Sequence, residues 1–180
     1  MTEPAAVDVG PGKGVVLIGP PTAGKSSVGA LLAAALGVPF ADTDTLVAKA
    51  ARKPVGDIFV EDGELVFREL ERGAVASGLD AVKADGGVLA LGSGAVLDPD
   101  VRRMLVGQVI VYLEAEFATV ARRAGMDRPR VVIPGNPRGR LRSMLEERRP
   151  VYCELATLTV PTDDLAPEEV AADLVKRLRP

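Results

Sequence analysis

The segment from Gly19 to Ser26, with the sequence GPPTAGKS, has the residue types and spacing of a phosphate-binding loop. Its glycines allow a tight turn and bring backbone N–H groups close to phosphate oxygens. Lys25 adds a full positive charge for the β- and γ-phosphates of a nucleoside triphosphate, and the Ser26 hydroxyl is a suitable ligand for Mg²⁺. The predicted nucleotide contacts in this segment and directly after it are Gly19, Thr22, Ala23, Gly24, Lys25, Ser26 and Ser27.

The residues on either side of this loop predict the elements that must position it. Residues 14–18 are an apolar run rich in β-branched side chains, which is typical of a buried strand. Residues 26–36 are rich in alanine and leucine and predict a helix that ends at Gly37. The N-terminus of that helix adds a partial positive charge directed at the phosphates. A strand, a glycine loop and a helix in this order form the context in which the motif binds phosphate.

Two carboxylates, Asp42 and Asp44, follow the next predicted strand, residues 38–41. Their i, i+2 spacing puts both side chains on one face of an extended segment. Because ligands of parallel α/β folds bind beyond the carboxyl ends of the strands, we expect both near the phosphate loop, on Mg²⁺ or on a substrate. The alternative is that one of them only caps a helix that begins near Leu46.

Three further features have both a functional and a structural interpretation. A turn at residues 92–94 (Gly-Ser-Gly) follows an apolar strand at 88–91 and would let a ligand approach the backbone, although a simple connection explains it equally. Arg68 lies among acidic residues in a helix predicted over 64–76, where spacing alone favours a surface charge. The irregular, arginine- and proline-containing segment 125–139 is either a lid over transferring phosphates or a flexible surface loop.

Strands and helices alternate along the chain, which predicts a three-layer α/β/α fold with a parallel, five-stranded sheet. We expect residues 1–12 to form a flexible tail and residues 13–180 to form a single domain with a mobile lid at about 125–139. The remaining predicted elements are strands at 108–113 and 156–160 and helices at 99–105, 117–124, 141–149 (ending before Pro150) and 167–178.

Composition excludes several classes of protein. The net charge of the 180 residues is −3, without a long run of one sign, which argues against nucleic-acid binding. No stretch approaches the roughly 18 apolar residues of a membrane span. The absence of histidine excludes histidine-based catalysis and histidine metal sites. Cys153 is the only cysteine and cannot form an internal disulfide, which suits the cytoplasm.

The order and spacing of six landmarks resemble the shikimate kinase family, a group of small P-loop kinases, from about Val15 to the C-terminus. The landmarks are the phosphate loop, Asp42-Thr43-Asp44, Ile58-Phe59 with Gly63-Glu64 and Phe67-Arg68, the turn at 92–94, the arginine-containing loop, and Arg148 before Pro150-Val151-Tyr152. The resemblance implies that ATP, with Mg²⁺, phosphorylates the 3-hydroxyl of shikimate in the pathway to aromatic amino acids. It also implies a monomer.

The resemblance implies a substrate site. Arg68 and Arg148 resemble the family's pair of arginines that binds the shikimate carboxylate, a task that suits the planar guanidinium. The residues Gly92, Ser93 and Gly94 match a turn that contacts the substrate. The family usually has a third glycine where this chain has Ser93, which is strained or crowded if the position requires a positive φ, and whose hydroxyl otherwise reaches the substrate.

The resemblance also implies a nucleotide site and catalytic residues. Asp44 resembles the residue that holds the substrate hydroxyls and accepts the proton of the attacking one, and it acts with Lys25. Asp42 resembles the carboxylate that holds Mg²⁺ together with Ser26. Arg123 resembles an arginine that packs near the adenine of ATP.

The lid of the family has an arginine that contacts the nucleotide, and two alignments of this chain are possible. Counting without gaps from Arg123 selects Arg130 and also aligns Arg138, whereas matching the Arg-Pro dipeptide selects Arg128. We prefer Arg130. Pro20, Pro21 and Thr22 also depart from the family's usual loop residues.

Two other functions are compatible with this pattern. A kinase of the same fold that acts on another hydroxy acid, such as gluconate, would also need arginines for a carboxylate. A catalytically silent nucleotide-binding homologue is favoured by Ser93 and the altered lid, although the intact Lys25, Asp44, Arg68 and Arg148 argue against it.

Overall fold

The computed structural model describes residues 7–10, 13–126 and 136–179. In chain order the strands are β1 (Val7–Asp8), β2 (Val15–Ile18), β3 (Phe40–Asp42), β4 (Val88–Ala90), β5 (Val109–Glu114), β6 (Leu158–Pro161) and β7 (Leu178–Arg179). The helices are α1 (Lys25–Leu36), α2 (Thr43–Ala51), α3 (Val55–Glu61), α4 (Glu64–Asp85), α5 (Pro99–Met104), α6 (Phe117–Arg123), α7 (Pro137–Leu155) and α8 (Pro167–Arg177). Five strands form one parallel sheet in the order β3-β4-β2-β5-β6, which confirms the predicted fold.

The central strand β2 separates two layers of helices. Its side chains alternate between the faces of the sheet. Val15 and Leu17 lie in a core cluster with residues of α1, α6 and α8, whereas Val16 and Ile18 lie in a second cluster with residues of α4 and α5. All four side chains are buried on both faces, as expected of a parallel strand covered by helices.

The carboxyl ends of three adjacent strands meet at one edge of the sheet. The phosphate loop follows β2, helix α2 begins directly after β3, and the turn at 92–94 follows β4. Since β4 lies between β2 and β3, these three connections are neighbours in space. This edge is where a parallel α/β fold binds its ligands.

Helix α4 continues to Asp85, well beyond the end predicted at residue 76. The helix passes through Gly78, a residue that disfavours helix formation. A Cβ atom on Gly78 would lie 2.7 Å from Leu89 Cδ1, so glycine allows α4 to pack closely on strand β4. Helix-to-sheet packing therefore outweighs the local propensity.

Helix α7 runs through Pro150, so the predicted end of this helix before Pro150 is wrong. A proline inside a helix removes one backbone hydrogen bond and favours a kink. The turn beyond Pro150 is held by Tyr152, which is buried, stacks on Tyr112 with ring centroids 5.2 Å apart, and donates a hydrogen bond to the Ser93 carbonyl. These tertiary contacts extend the helix to Leu155.

The two ends of the described chain meet in a separate two-stranded sheet. Strand β1 pairs in parallel with β7, with Val7 opposite Leu178. Val7 and Val9 pack against the core cluster that contains α1 and α8. For residues 7–10 this pairing differs from the flexible tail predicted over 1–12, because the sequence pattern does not reveal a partner strand at the opposite end of the chain. The other residues of the predicted tail lie outside the described residues.

Candidate active site

The backbone of the phosphate loop requires glycine at both of its fixed positions. Gly19 has a φ of 147°, and a Cβ atom there would lie 2.5 Å from the carbonyl oxygen of Leu113. Gly24 has a φ of 95° and caps the N-terminus of α1. Between them Ala23 is buried, and its N–H donates to the Pro20 carbonyl at 3.3 Å.

Thr22 has a φ of 59°, which is uncommon for a β-branched residue. Two contacts with α6 hold this conformation. The Thr22 hydroxyl donates to the Val120 carbonyl at 3.4 Å, and the Thr22 carbonyl accepts from Arg123 Nη1 at 3.3 Å. The nucleotide-binding loop is therefore tied to the helix that precedes the predicted lid.

Lys25 lies at the start of α1, and its Nζ atom donates to the carbonyls of Gly19 (3.0 Å) and Pro20 (2.9 Å). Burial of the ammonium group lowers its pKa from 10.5 to about 8, although the negative charges of Asp44 and Asp42 oppose this shift. The lysine is thus positioned in the loop where the phosphates of a nucleotide would lie.

The two carboxylate oxygens of Asp42 have different partners. Oδ1 accepts hydrogen bonds from the backbone N–H groups of Asp44 (2.9 Å) and Thr45 (3.3 Å), which makes Asp42 the N-cap of α2. Oδ2 accepts from the Ser26 hydroxyl at 2.5 Å. Asp42 is therefore the cap of α2, which begins at Thr43 and not near Leu46 as expected, and its second oxygen faces the phosphate loop.

Asp44 lies in the first turn of α2, beside the phosphate loop and the turn at 92–94. Partial burial raises the pKa of its carboxyl group, repulsion from Asp42 raises it further, and the charge of Lys25 opposes both effects. A Cβ atom on Gly92 would lie 3.0 Å from Asp44 Oδ1. The carboxylate is therefore well placed to contact a ligand that lies against the turn.

The turn at 92–94 is packed between charged side chains. A Cβ atom on Gly92 would lie 2.7 Å from Glu71 Oε1, and one on Gly94 would lie 2.8 Å from Arg68 Nη1. The Gly92 N–H donates to the hydroxyl of the fully buried Thr43 at 2.8 Å. The φ angle of Ser93 is not positive, so the backbone at this position does not require glycine.

Arg68 belongs to the candidate site and is held there by acidic neighbours on its own helix. Its guanidinium contacts Glu71 at 2.6 Å and Glu64 at 3.3 Å. Glu71 is 3% exposed; burial raises the pKa of its carboxyl group, and Arg68 opposes that shift. The sequence analysis did not identify Glu71, although its i+3 spacing from Arg68 is a signal for such a pair.

Arg148 approaches the same turn from α7. Its Nη1 atom donates to the Ser93 hydroxyl at 3.2 Å, and its Nε atom is buried without a hydrogen-bond partner among the described residues. Tyr152, one helical turn further along, donates to the Ser93 carbonyl at 2.6 Å. The sequence analysis named Tyr152 only as part of a landmark, and its contact with the turn became evident from the structure.

Two pockets meet at this edge of the sheet. The phosphate cleft is lined by Pro21, Thr22, Gly24, Lys25, Ser26, Ser27, Asp42, Asp44, Leu91 and Ser93. The acceptor pocket is lined by Asp44, Val55, Phe59, Phe67, Arg68, Glu71, Gly92, Ser93, Gly94 and Arg148. Asp44 and Ser93 line both, so the two pockets are adjacent at these residues.

A third cleft is lined by part of the phosphate loop and by residues of α6 and α8. Arg123 lines this cleft, and the Arg123 guanidinium donates a hydrogen bond to the Thr162 carbonyl at 2.5 Å. The other lining residues are Thr22, Ala23, Gly24, Val28, Thr162, Leu165, Pro167 and Val170. The two candidate lid arginines, Arg128 and Arg130, lie outside the described residues.

The candidate ligands for a metal ion are oxygen atoms of Ser26 and Asp42. Within the described ranges there is no cluster of three or more Asp, Glu or Cys side chains that could enclose a metal ion. Ser26 and Asp42 supply oxygen atoms side by side, which suits a hard cation such as Mg²⁺ that keeps several water and phosphate ligands. In this part of the chain, no helix is both long and apolar enough to cross a membrane.

Comparison with known proteins adds an independent line of evidence. The family model of shikimate kinase matches residues 21–179. A shikimate kinase of Thermobifida fusca is 52% identical over 91% of this chain and 93% of its own length. One of Salinispora arenicola is 47% identical over 91% and 96%. The solved structure of an Acinetobacter baumannii shikimate kinase in complex with shikimate has a TM-score of 0.80 at 30% identity and covers 91% of both chains. With the phosphate loop, the paired arginines and Asp44 assembled at one edge of the sheet, these matches show that the chain belongs to the shikimate kinase family.

Proposed function

We propose that the protein transfers the γ-phosphoryl group of ATP to the 3-hydroxyl of shikimate. The observation that carries this proposal is that the phosphate cleft and the acceptor pocket lie next to each other and share Asp44 and Ser93. One pocket has the residues for a triphosphate, and the other has two arginines for a carboxylate. Membership of the shikimate kinase family supports ATP as the donor and shikimate as the acceptor.

The nucleotide would lie across the phosphate loop. Backbone N–H groups and the N-terminus of α1 would hold the phosphates, and Lys25 would exchange its bonds to the Gly19 and Pro20 carbonyls for bonds to phosphate oxygens. The cleft beside Arg123 has apolar walls from Val28 and Val170 and suits the adenine. Arg130, or in the alternative alignment Arg128, would supply the lid arginine.

Ser26 and Asp42 would hold Mg²⁺. The Asp42 oxygen that faces Ser26 is not the one that caps α2, so it is available to a metal or to a metal-bound water without loss of the cap. The ion supplies charge neutralisation for the phosphates when it is bound. The remaining ligands would be phosphate oxygens and water, as is usual for Mg²⁺.

The acceptor would be bound by its carboxylate at one end and by its hydroxyl at the other. Arg68 and Arg148 would bind the carboxylate through charge-assisted hydrogen bonds from their guanidinium groups. Asp44 would accept a hydrogen bond from the attacking hydroxyl, whose oxygen forms the new bond to the γ-phosphorus as the bond to the β-phosphate oxygen breaks. The hydroxyl proton passes to Asp44, whose raised pKa increases its proton affinity.

The paired arginines would also suit another hydroxy acid, such as gluconate, and Ser93 keeps a silent nucleotide-binding homologue in consideration. A coupled assay of ADP release with shikimate, with gluconate and without an acceptor distinguishes the three. We expect release that depends on shikimate. Turnover with gluconate alone would support the second function, and the absence of acceptor-dependent turnover by folded protein would contradict the proposal.

Replacement of Asp44 tests its role directly. We expect Asp44→Asn to reduce turnover by about 10²-fold or more, because the amide cannot accept the proton, while ATP still binds. The measurements are kcat from ADP release and ATP affinity by calorimetry. Asp57→Asn on α3 is a suitable control, since Asp57 is an exposed carboxylate outside both pockets. Retained turnover in Asp44→Asn would remove Asp44 from the mechanism.

We further propose that the enzyme works as a cytoplasmic monomer. The residues proposed to bind the triphosphate and those proposed to bind the carboxylate belong to the same chain. The single, exposed Cys153 is compatible with a reducing compartment. Light scattering coupled to gel filtration measures the mass that this proposal predicts.

A further inference from the structure

We propose that the Ser93 side chain is a specificity-determining group of the acceptor pocket, which orients Arg148 and donates its own hydrogen bond to the carboxylate of the acceptor. This inference rests on the proposed function, in which Arg68 and Arg148 bind that carboxylate. The serine would be a third donor, in addition to the two arginines.

The direction of the hydrogen bond between Arg148 and Ser93 leaves the hydroxyl hydrogen of Ser93 unused. A guanidinium has donors but no acceptor, so in the 3.2 Å contact the Ser93 oxygen must accept. A hydroxyl has one hydrogen of its own in addition to its acceptor capacity. No described residue accepts that hydrogen in a hydrogen bond, so it is available to a ligand in the pocket.

The position of Ser93 places it in the same pocket as both arginines. Ser93 lines the acceptor pocket together with Arg68 and Arg148. Arg68 packs against the adjacent Gly94, where its Nη1 atom would be 2.8 Å from a Cβ atom. The turn is therefore approached by guanidinium groups from two helices, α4 and α7. These two charges favour a bound carboxylate, whereas the Asp44 and Glu71 carboxylates in the same lining oppose it.

Hydrogen bonds to buried side chains hold the turn that contains Ser93. The Ser93 carbonyl accepts a 2.6 Å hydrogen bond from the buried Tyr152, and the neighbouring Gly92 N–H is bonded to the buried Thr43. The backbone on both sides of the serine side chain is thus held in place. Arg148 donates to the Ser93 hydroxyl and also forms a hydrogen bond with the Tyr152 side chain, so these two contacts together orient its guanidinium.

The test is the variant Ser93→Ala, compared with wild type and with Ser143→Ala. Ser143 is an exposed serine on α7, the helix that carries Arg148, and it lies outside both pockets. We expect Ser93→Ala to raise KM for shikimate about tenfold, which corresponds to the loss of a hydrogen bond to a charged group. KM for ATP should stay within twofold, and Ser143→Ala should resemble wild type.

A second acceptor separates a role in binding from a role in folding. In the carboxamide of shikimate the negative charge is absent, so a hydrogen bond from Ser93 would be to a neutral oxygen and weaker. We therefore expect the difference in kcat/KM between wild type and Ser93→Ala to be smaller with the carboxamide than with shikimate. Equal losses with shikimate, carboxamide and ATP would mean that Ser93 has only a structural role, and unchanged KM for shikimate would mean that its hydroxyl contributes nothing.

The outcomes also separate this inference from the proposed function. If wild type phosphorylates shikimate and Ser93→Ala does so equally well, only the inference fails. If wild type uses gluconate instead, the proposed function fails, and the inference is judged by KM for gluconate in the same variants. If wild type neither binds nor phosphorylates either acid in calorimetry and kinetics, both are overturned.

Discussion

At the scale of single residues, Lys25 illustrates a conflict between stability and function. Its ammonium group is held by two loop carbonyls, and burial lowers its pKa to about 8. The unfolded chain therefore binds this proton more tightly than the folded chain, so stability rises with pH between about 8 and 10.5 as the folded protein loses it first. Below about pH 8 the buried charge reduces stability.

We expect Lys25→Met to raise the free energy of unfolding of the nucleotide-free protein by about 1–2 kcal/mol at pH 7, while nucleotide binding is lost. Lys49→Met, at an exposed position on α2, is the control and should change stability by less than about 0.5 kcal/mol. Urea denaturation at pH 7 and pH 9.5 measures the effect. Wild type should gain stability relative to Lys25→Met at the higher pH, and parallel pH profiles would contradict this account.

Most of the candidate site could be predicted because its residues occur in short motifs. Lys25, Ser26, Asp42 and Asp44 follow strand ends that local patterns identify, and the structure brings them together. Glu71 could not be identified in this way, because its importance depends on burial beside Arg68 and the turn at 92–94. Its own sequence environment is that of an ordinary surface helix.

At the scale of elements, local patterns identified all five strands of the main sheet and failed at helix ends. Helix α4 continues through Gly78 because a close contact with β4 requires a small residue there. Helix α7 continues through Pro150 because Tyr152 is anchored beyond it. In both cases the deciding contact is with a residue far away in sequence, which propensity and periodicity do not detect.

Helix α2 ends at Ala51, and the residue that caps it, Arg52, has a φ of 55°, which is unfavourable for any residue with a Cβ atom. We expect Arg52→Gly to raise the free energy of unfolding by about 0.5–1 kcal/mol, because glycine adopts this conformation without strain. The matched variant is Gly37→Ala at the end of α1, where φ is 69° and the added methyl meets nothing within 4 Å.

Gly37→Ala should lower the free energy of unfolding by about 1 kcal/mol, because it places a residue with a Cβ atom in the left-handed conformation. Arg52→Gly removes the same kind of backbone strain. Urea denaturation of both variants measures the pair. If Arg52→Gly were destabilising, the backbone conformation at the end of α2 would not be the source of strain.

At the scale of the whole molecule, the pairing of β1 with β7 joins the two ends of the described chain. The pairing adds backbone hydrogen bonds and packs Val7 and Val9 on the core cluster of α1 and α8. The pockets lie elsewhere, at the carboxyl edge of the main sheet. Stability and activity should therefore be separable at this end of the molecule.

We expect deletion of residues 1–9 to reduce stability by about 1–2 kcal/mol and the melting temperature by about 2–8 °C. KM values and kcat at 25 °C should remain within twofold of wild type. Asp8→Ala is the control, because it removes an exposed side chain and leaves the backbone pairing intact. Calorimetry and the ADP-release assay measure both quantities, and a large rise in KM on deletion would show that β1 contributes to the site.

The crowding around the turn at 92–94 has a consequence for how this enzyme can evolve. A side chain at Gly92 would collide with Glu71, and one at Gly94 would collide with Arg68. The middle position already has a side chain directed at the acceptor pocket. Natural variation and laboratory selection for new acceptors can therefore act directly on position 93, whereas a side chain at Gly92 or Gly94 would first have to displace the end of the Glu71 or Arg68 side chain.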